Sequence, residues 1–232
     1  MLNGLLTMNK WFIRILLVML SVSPACGQTT QQLRDSLSTL IRQIEQNKNS
    51  VDLRLQKAAL NMQLQQWEYA KDEYSEVLRM NKGNLTALRF RGYAHERMGN
   101  YNFARADYET FLKEVPDHFE TLLGLALLNQ KDKHFTEAMD QINRVVEMFP
   151  DNAVAYAARA GIELERGLNE LAEYDFSEAI RFDEENADYW LDRAEVRISL
   201  GRKKEALADI HKAMSLGVAR ADVEHLLKRC RK

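Results

Sequence analysis

An all-α chain of tandem helix hairpins is what the sequence predicts, on three observations. Ala70, Ala104, Ala138, Ala172 and Ala206 recur at an unbroken spacing of 34 residues. Four places after each stands a large apolar residue: Tyr74, Tyr108, Ile142, Phe176 and Ile210. Twelve places before each stands a small one: Ala58, Gly92, Ala126, Ala160 and Ala194. A small–small–large set at fixed period marks one structural unit copied in tandem. The small pair lets two helices cross closely, and the large residue fills the space beside them.

The first 27 residues read as an export signal. Lys10 and Arg14 lead into an apolar run over residues 15–22, followed by Ser23, Pro24, Ala25, Cys26 and Gly27. A charged start, a short apolar core and small residues at the end have that form. The run is shorter than the roughly 20 apolar residues a membrane-spanning helix needs. Two processing routes fit: cleavage before Gln28, or a lipoprotein-like box that makes a lipidated Cys26 the first residue. Met8 is an alternative start. Either route predicts export, which for a bacterial source means a periplasmic or outer-membrane-associated protein touching membrane only through an anchor at Cys26.

Over residues 30–47, Leu33, Leu37, Leu40, Ile41 and Ile44 share one helical face. In register with the alanine period this is a second helix without its first, an N-terminal cap within residues 28–50. Five repeats then begin at residues 51, 85, 119, 153 and 187. Position 4 of each is Arg54, Leu88, Leu122, Tyr156 and Trp190. The mid-repeat turn, position 15, has Gly99, Gly167 and Gly201, with Gln65 and Lys133 in the other two repeats. Position 17 reads Trp67, Tyr101, Phe135, Asn169 and Lys203, and Pro116 and Pro150 close repeats two and three. Residues 221–232 form a C-terminal capping helix with Val223, Leu226, Leu227 and Cys230 on one face.

This pattern resembles the tetratricopeptide repeat, over residues 51–220. The resemblance implies a right-handed α-solenoid of five helix hairpins, with helix A over positions 2–14 and helix B over 18–30. It also implies that helix A lines a concave groove for protein or peptide partners, through positions 2, 5, 6, 9, 12 and 13. The lysine, asparagine and arginine by which one subclass clamps a C-terminal carboxylate are absent: positions 2 and 6 of the first two repeats hold Asp52, Gln56, Thr86 and Phe90. The candidate groove residues are Arg89, Phe90, Tyr93, Arg97, Leu123, Leu127 and Gln130. An apolar floor with two arginines at one side suits an extended or helical peptide. The competing reading is that Phe90 and the leucines pack adjacent A helices, while the Tyr93 hydroxyl favours a wet edge.

Charge varies in pairs. Position 7 reads Lys57, Arg91, Leu125, Arg159 and Arg193, and position 23 reads Glu73, Asp107, Gln141, Asp175 and Asp209. The third repeat loses both charges together. Paired charges are tolerated where lone buried ones are not, so Arg91–Asp107, Arg159–Asp175 and Arg193–Asp209 are expected as structural ion pairs.

Composition narrows function further. The net charge is −2 with a pI near 6.2, and no basic stripe points to nucleic acid. Lys228, Arg229, Arg231 and Lys232 suit a helix C-terminus. Cys26 and Cys230 stand at opposite ends of the chain, too far apart for a disulfide in an elongated stack. The five histidines show no ligand spacing, so neither metal nor cofactor is expected. There is no glycine-rich phosphate loop and no nucleophile elbow. The expectation is a non-enzymatic protein-interaction scaffold. The alternative is an assembly component that self-associates through convex or end surfaces.

Overall fold

The structure, a computed structural model, describes residues 29–231, and the signal and Cys26 readings lie outside the described residues. Twelve helices and no strand are present among the described residues. They are α1 (Thr30–Gln46), α2 (Val51–Gln63), α3 (Trp67–Met80), α4 (Leu85–Arg97), α5 (Tyr101–Glu114), α6 (Phe119–Lys131), α7 (Phe135–Met148), α8 (Ala153–Glu165), α9 (Asn169–Phe182), α10 (Ala187–Ser199), α11 (Lys203–Ser215) and α12 (Arg220–Arg231). Even-numbered helices from α2 to α10 are helices A of the repeats, and the odd-numbered helices from α3 to α11 are helices B.

Each helix A starts one residue earlier than the resemblance implies, at position 1, because the residue before it is a cap. The side chains of Ser50, Asn84, Asn152 and Asn186 accept from backbone N–H groups of the first turns of α2, α4, α8 and α10 at 2.9–3.3 Å. At α6, His118 Nδ1 takes that role, 3.3 Å from Thr121 N. Such caps satisfy donors that the helix itself leaves open.

Each helix A ends in the same hydrogen-bonded turn. The N–H groups of Gln66, Asn100, His134, Leu168 and Arg202 reach back to the carbonyls of Asn61, His95, Asn129, Glu163 and Arg197 at 2.8–2.9 Å. This closure needs a left-handed residue just before the donor. Gly99, Gly167 and Gly201 supply it, and Gln65 (φ 56°) and Lys133 (φ 62°) adopt it without being glycine. The missing glycines therefore change the strain at these turns and not their geometry.

Two compact units divide the chain within α6, the first running to Leu128 and the second beginning at Asn129. In the first, α1 packs on α2. Leu40 and Ile44 of α1 are buried, whereas Ile41 is 40% exposed, a departure from the expected face. The core behind them joins Ala58, Ala70, Tyr74, Val77, Leu88 and Phe111. At Gly92 a Cβ would stand 2.8 Å from the Tyr108 ring and 3.2 Å from Asp107 Cβ, so this crossing admits only hydrogen.

In the second unit Ala160 and Ala172 are wholly buried beside Phe176. Ala194, Ala206 and Ile210 pack with Val223, Leu226, Leu227 and Cys230 of α12. Burial pushes the Cys230 thiol pKa up, which holds it protonated. Ala172→Leu is expected to overpack the α8–α9 crossing and cost about 1–3 kcal/mol. Ala208→Leu, on an exposed position of α11, should change little. Equal urea midpoints for the two variants would contradict this packing account.

Candidate functional site

The candidate surface starts on α4. A 13-residue helix brings positions 5, 6, 9 and 13 to one stripe, placing Arg89, Phe90, Tyr93 and Arg97 together. Phe90 stacks on Tyr74 with ring centroids 6.1 Å apart, and the Arg89 guanidinium lies 4.5 Å from the Phe90 centroid. Arg89 Nη1 is also 3.3 Å from His118 Nε2. Burial lowers the His118 pKa, so that ring adds no charge near pH 7.

Tyr93 is not at a wet edge. Its ring is buried in the core of the first unit, edge-on to Trp67 at 6.0 Å, and burial raises its pKa. The hydroxyl oxygen accepts from Arg97 Nη1 at 3.2 Å, while the Arg97 guanidinium covers the Trp67 ring at 4.6 Å. A tyrosine ring buries easily when a neighbouring cation satisfies its oxygen.

Leu123, Leu127 and Gln130 are also corrected. They are 1%, 3% and 2% exposed, and thus core rather than open floor. The physical reason is on α6 itself: Leu122, Leu123, Leu125, Leu127 and Leu128 surround the helix, and a helix apolar on every side is buried. Solvent-facing groups of the expected groove remain on α4, where Arg97 is exposed and Arg89 and Phe90 half-buried.

A charged framework lies on another stripe of the A helices. Arg91 grips Asp107 through two hydrogen bonds of 2.8 and 2.7 Å, Arg159 grips Asp175 at 2.6 and 2.8 Å, and Arg193 grips Asp209 at 3.0 and 2.8 Å. Lys57 donates to Glu73 at 2.6 Å, and Arg54 joins it at 2.8 Å. In the repeat without charges, Asn129 donates to Gln141 at 2.7 Å. The third nitrogen of each arginine reaches the preceding helix B: Arg91 to Ser75 (3.4 Å), Arg159 to Asn143 (3.2 Å) and Arg193 to Ser177 (3.0 Å). One guanidinium thus ties a helix A to two consecutive helices B. Planar, five-donor geometry suits it to that task.

Sequence reasoning missed position 11. It reads Asn61, His95, Asn129, Glu163 and Arg197, polar in every repeat and one turn along from position 7. The signal was available as a period of 34 in polarity within otherwise apolar helices. Arg197 is engaged, donating to Glu173 at 2.7 Å and to Asp209 at 2.8 Å. Atoms at three of these positions lie buried with no hydrogen-bond partner: Asn61 Nδ2, His95 Nδ1 and Glu163 Oε2.

Known proteins agree with this architecture. A family model described as the tetratricopeptide repeat matches residues 91–153 and 123–187. Tetratricopeptide repeat protein 6 of Homo sapiens is 29% identical over 162 residues, 68% of this chain and 31% of that protein. The TPR repeat-containing thioredoxin TDX of Arabidopsis thaliana is 32% identical over 85 residues, 37% of this chain and 22% of that protein. The chain thus spans under a third of the length of these two relatives. A tetratricopeptide repeat protein from Parabacteroides merdae superposes with a TM-score of 0.67 at 23% identity, covering 87% of this chain and 79% of that one. YrrB, described as a TPR protein with an unusual peptide-binding site, superposes at 0.59 with 19% identity, covering 82% and 97%.

Residues 91–187 carry tetratricopeptide repeats by that match, and the helix hairpins of the described residues share the fold of these structures. Proteins of this kind mediate protein–protein interactions.

Glu163 sets a pH dependence. Its carboxyl is buried against Asp175 and Arg159. Burial, reinforced by the Asp175 charge and opposed by Arg159, pushes its pKa up to about 8 from an ordinary 4.5. The folded state therefore holds a proton that the unfolded chain releases. Stability falls as pH rises from about 4.5 to about 8 and levels off above that. Glu163→Gln should flatten this slope and raise stability at pH 8, read from denaturant midpoints at pH 5, 7 and 9. Parallel curves for the two proteins would contradict the assignment.

Proposed function

We propose that this protein is a non-enzymatic scaffold, exported to the cell envelope, that holds a protein or peptide segment against the helix-A face of α4. One observation carries the reading. Framework arginines such as Arg91, Arg159 and Arg193 are neutralised by carboxylates. Arg89 and Arg97 instead lie against rings and neutral polar groups. Their donors are held in place without being consumed by an acid, which suits carbonyl or carboxylate groups of an incoming segment. Eight residues separate them on α4, roughly 12 Å at 1.5 Å per residue. Phe90 stands between them as an apolar contact.

Export rests on the charged, apolar and small-residue succession from Lys10 to Gly27. Intact mass of the purified envelope form distinguishes cleavage before Gln28 from a lipidated Cys26. A second reading, self-association, is favoured by exposed Leu171 and Tyr174 on α9, 52% and 61% accessible. Light scattering that finds only monomer at high concentration would remove it.

The test of the scaffold reading is a crosslinking capture from envelope extract with wild type and Phe90→Ala/Arg97→Ala. Both changes sit outside the fully buried core. Recovery of the specific partner is expected to fall at least fivefold, with helical content unchanged. Undiminished capture would place the binding face elsewhere.

A further inference from the structure

The framework repeats a three-helix notch between consecutive helices B, floored by the intervening helix A. In the second unit α9, α10 and α11 form one. Its frame is Arg193 bound to Asp209 and Ser177. Its filling is a second guanidinium: Arg197 donates to Asp209 Oδ2 at 2.8 Å and to Glu173 Oε1 at 2.7 Å, and Arg202 also pairs with Glu173. That notch is plugged by the protein's own arginine.

In the first unit α3, α4 and α5 build the same frame. Arg91 binds Asp107 and Ser75 as Arg193 binds Asp209 and Ser177. The plug is missing. His95 stands where Arg197 stands, and Lys71 where Glu173 stands. A pocket of about 440 Å³ opens there, bounded by Lys71, Asp72, Arg91, His95, Phe103 and Asp107. Asp107 Oδ2 accepts from Arg91 Nε at 2.8 Å, whereas Asp209 Oδ2 accepts from both Arg193 and Arg197. A carboxylate oxygen has room for that second donor.

Charge and shape agree on what is missing. Lys71 is bound to both Glu68 and Asp72. The lining holds two bases, Lys71 and Arg91, and two acids, Asp72 and Asp107, while Glu68, outside the lining, is a second acid on Lys71. Burial lowers the His95 pKa, so the imidazole is neutral near pH 7 and adds no positive charge there. The buried Nδ1 of His95 has no hydrogen-bond partner. Phe103 stacks on His95 at 5.2 Å yet is 66% exposed, offering a ring face to a cation.

We infer that this notch is a docking site for a guanidinium group, carried by an arginine of a partner polypeptide that takes the place Arg197 occupies in the plugged notch. The guest donates to Asp107 Oδ2 and lies near Asp72, with its plane along Phe103. This site uses different residues from the α4 face proposed above, and either stands or falls without the other.

N-acetyl-arginine amide, titrated into the whole mature protein and followed by NMR signals of His95 and Phe103, is the probe. Saturable shifts are expected, with none from the citrulline analogue, which has the same shape without the charge. Asp72→Asn and Phe103→Ala, both at exposed positions, should each weaken binding at least fivefold. Lys71→Glu/His95→Arg transplants the plug and should abolish binding while raising Tm. Phe90→Ala/Arg97→Ala should leave the titration unchanged. Equal shifts from the citrulline analogue, or full binding by the folded plugged variant, would overturn the inference. Should the plugged variant not fold, undiminished binding by both single variants would do so. Free arginine binding tenfold more tightly than the capped form would assign the notch to the amino acid and overturn it as a polypeptide site.

Discussion

The rest of the structure depends on how closely paired helices approach. Position 8 and position 20 carry no side chain larger than a methyl in any repeat, and the alanines at both are wholly buried in the first, third, fourth and fifth. At Gly92 even a methyl is excluded by Tyr108. Close crossing brings the carboxylate of a helix B within reach of a base on helix A, 16 residues earlier. It also buries position 24, so that Tyr74, Tyr108 and Phe176 fill the space that small residues leave. A larger residue at either position would separate the helices and lengthen every contact that follows.

The guanidinium links are specific where the apolar contacts are merely adhesive. Each carboxylate is nearly inaccessible, with 8%, 2% and 3% side-chain exposure for Asp107, Asp175 and Asp209. A charge so placed is costly alone, and loss of its partner is expected to cost about 3–5 kcal/mol. The third repeat shows the alternative, an apolar Leu125 at position 7 and a neutral Asn129–Gln141 bond. The middle of its helix A, from Leu122 to Leu128, is correspondingly apolar. Because each arginine also reaches the preceding helix B, these pairs set the register between successive hairpins as well as within one.

Much of the fold was legible because its cause is periodic. Alanine spacing located the crossings, and the joint loss of charge at Leu125 and Gln141 marked positions 7 and 23 as a contact. Turn geometry was legible only in part, since Gln65 and Lys133 occupy the left-handed position without the residue type that announces it. The candidate surface was harder to read. The resemblance placed Tyr93, Leu123 and Leu127 on the stripe that lines the groove, but a repeat position carries no information on what lies above it in this chain. The polar column at position 11 escaped notice because its members share neither charge nor size, and only their common place in the repeat unites them.

The sequence by itself determined the repeat length, the pairing of helices and the complementary charges, since each follows from residues at a fixed offset in one chain. Tertiary structure alone decided which polar groups are consumed and which are left open. Arg197 is a plug because Glu173 and Asp209 both come within hydrogen-bonding distance of it. His95, at the same place in its own repeat, borders an open pocket because Lys71 turns to Glu68 and Asp72 instead. Hydrogen-bond satisfaction depends on distances between separate helices, and no offset along a chain encodes those.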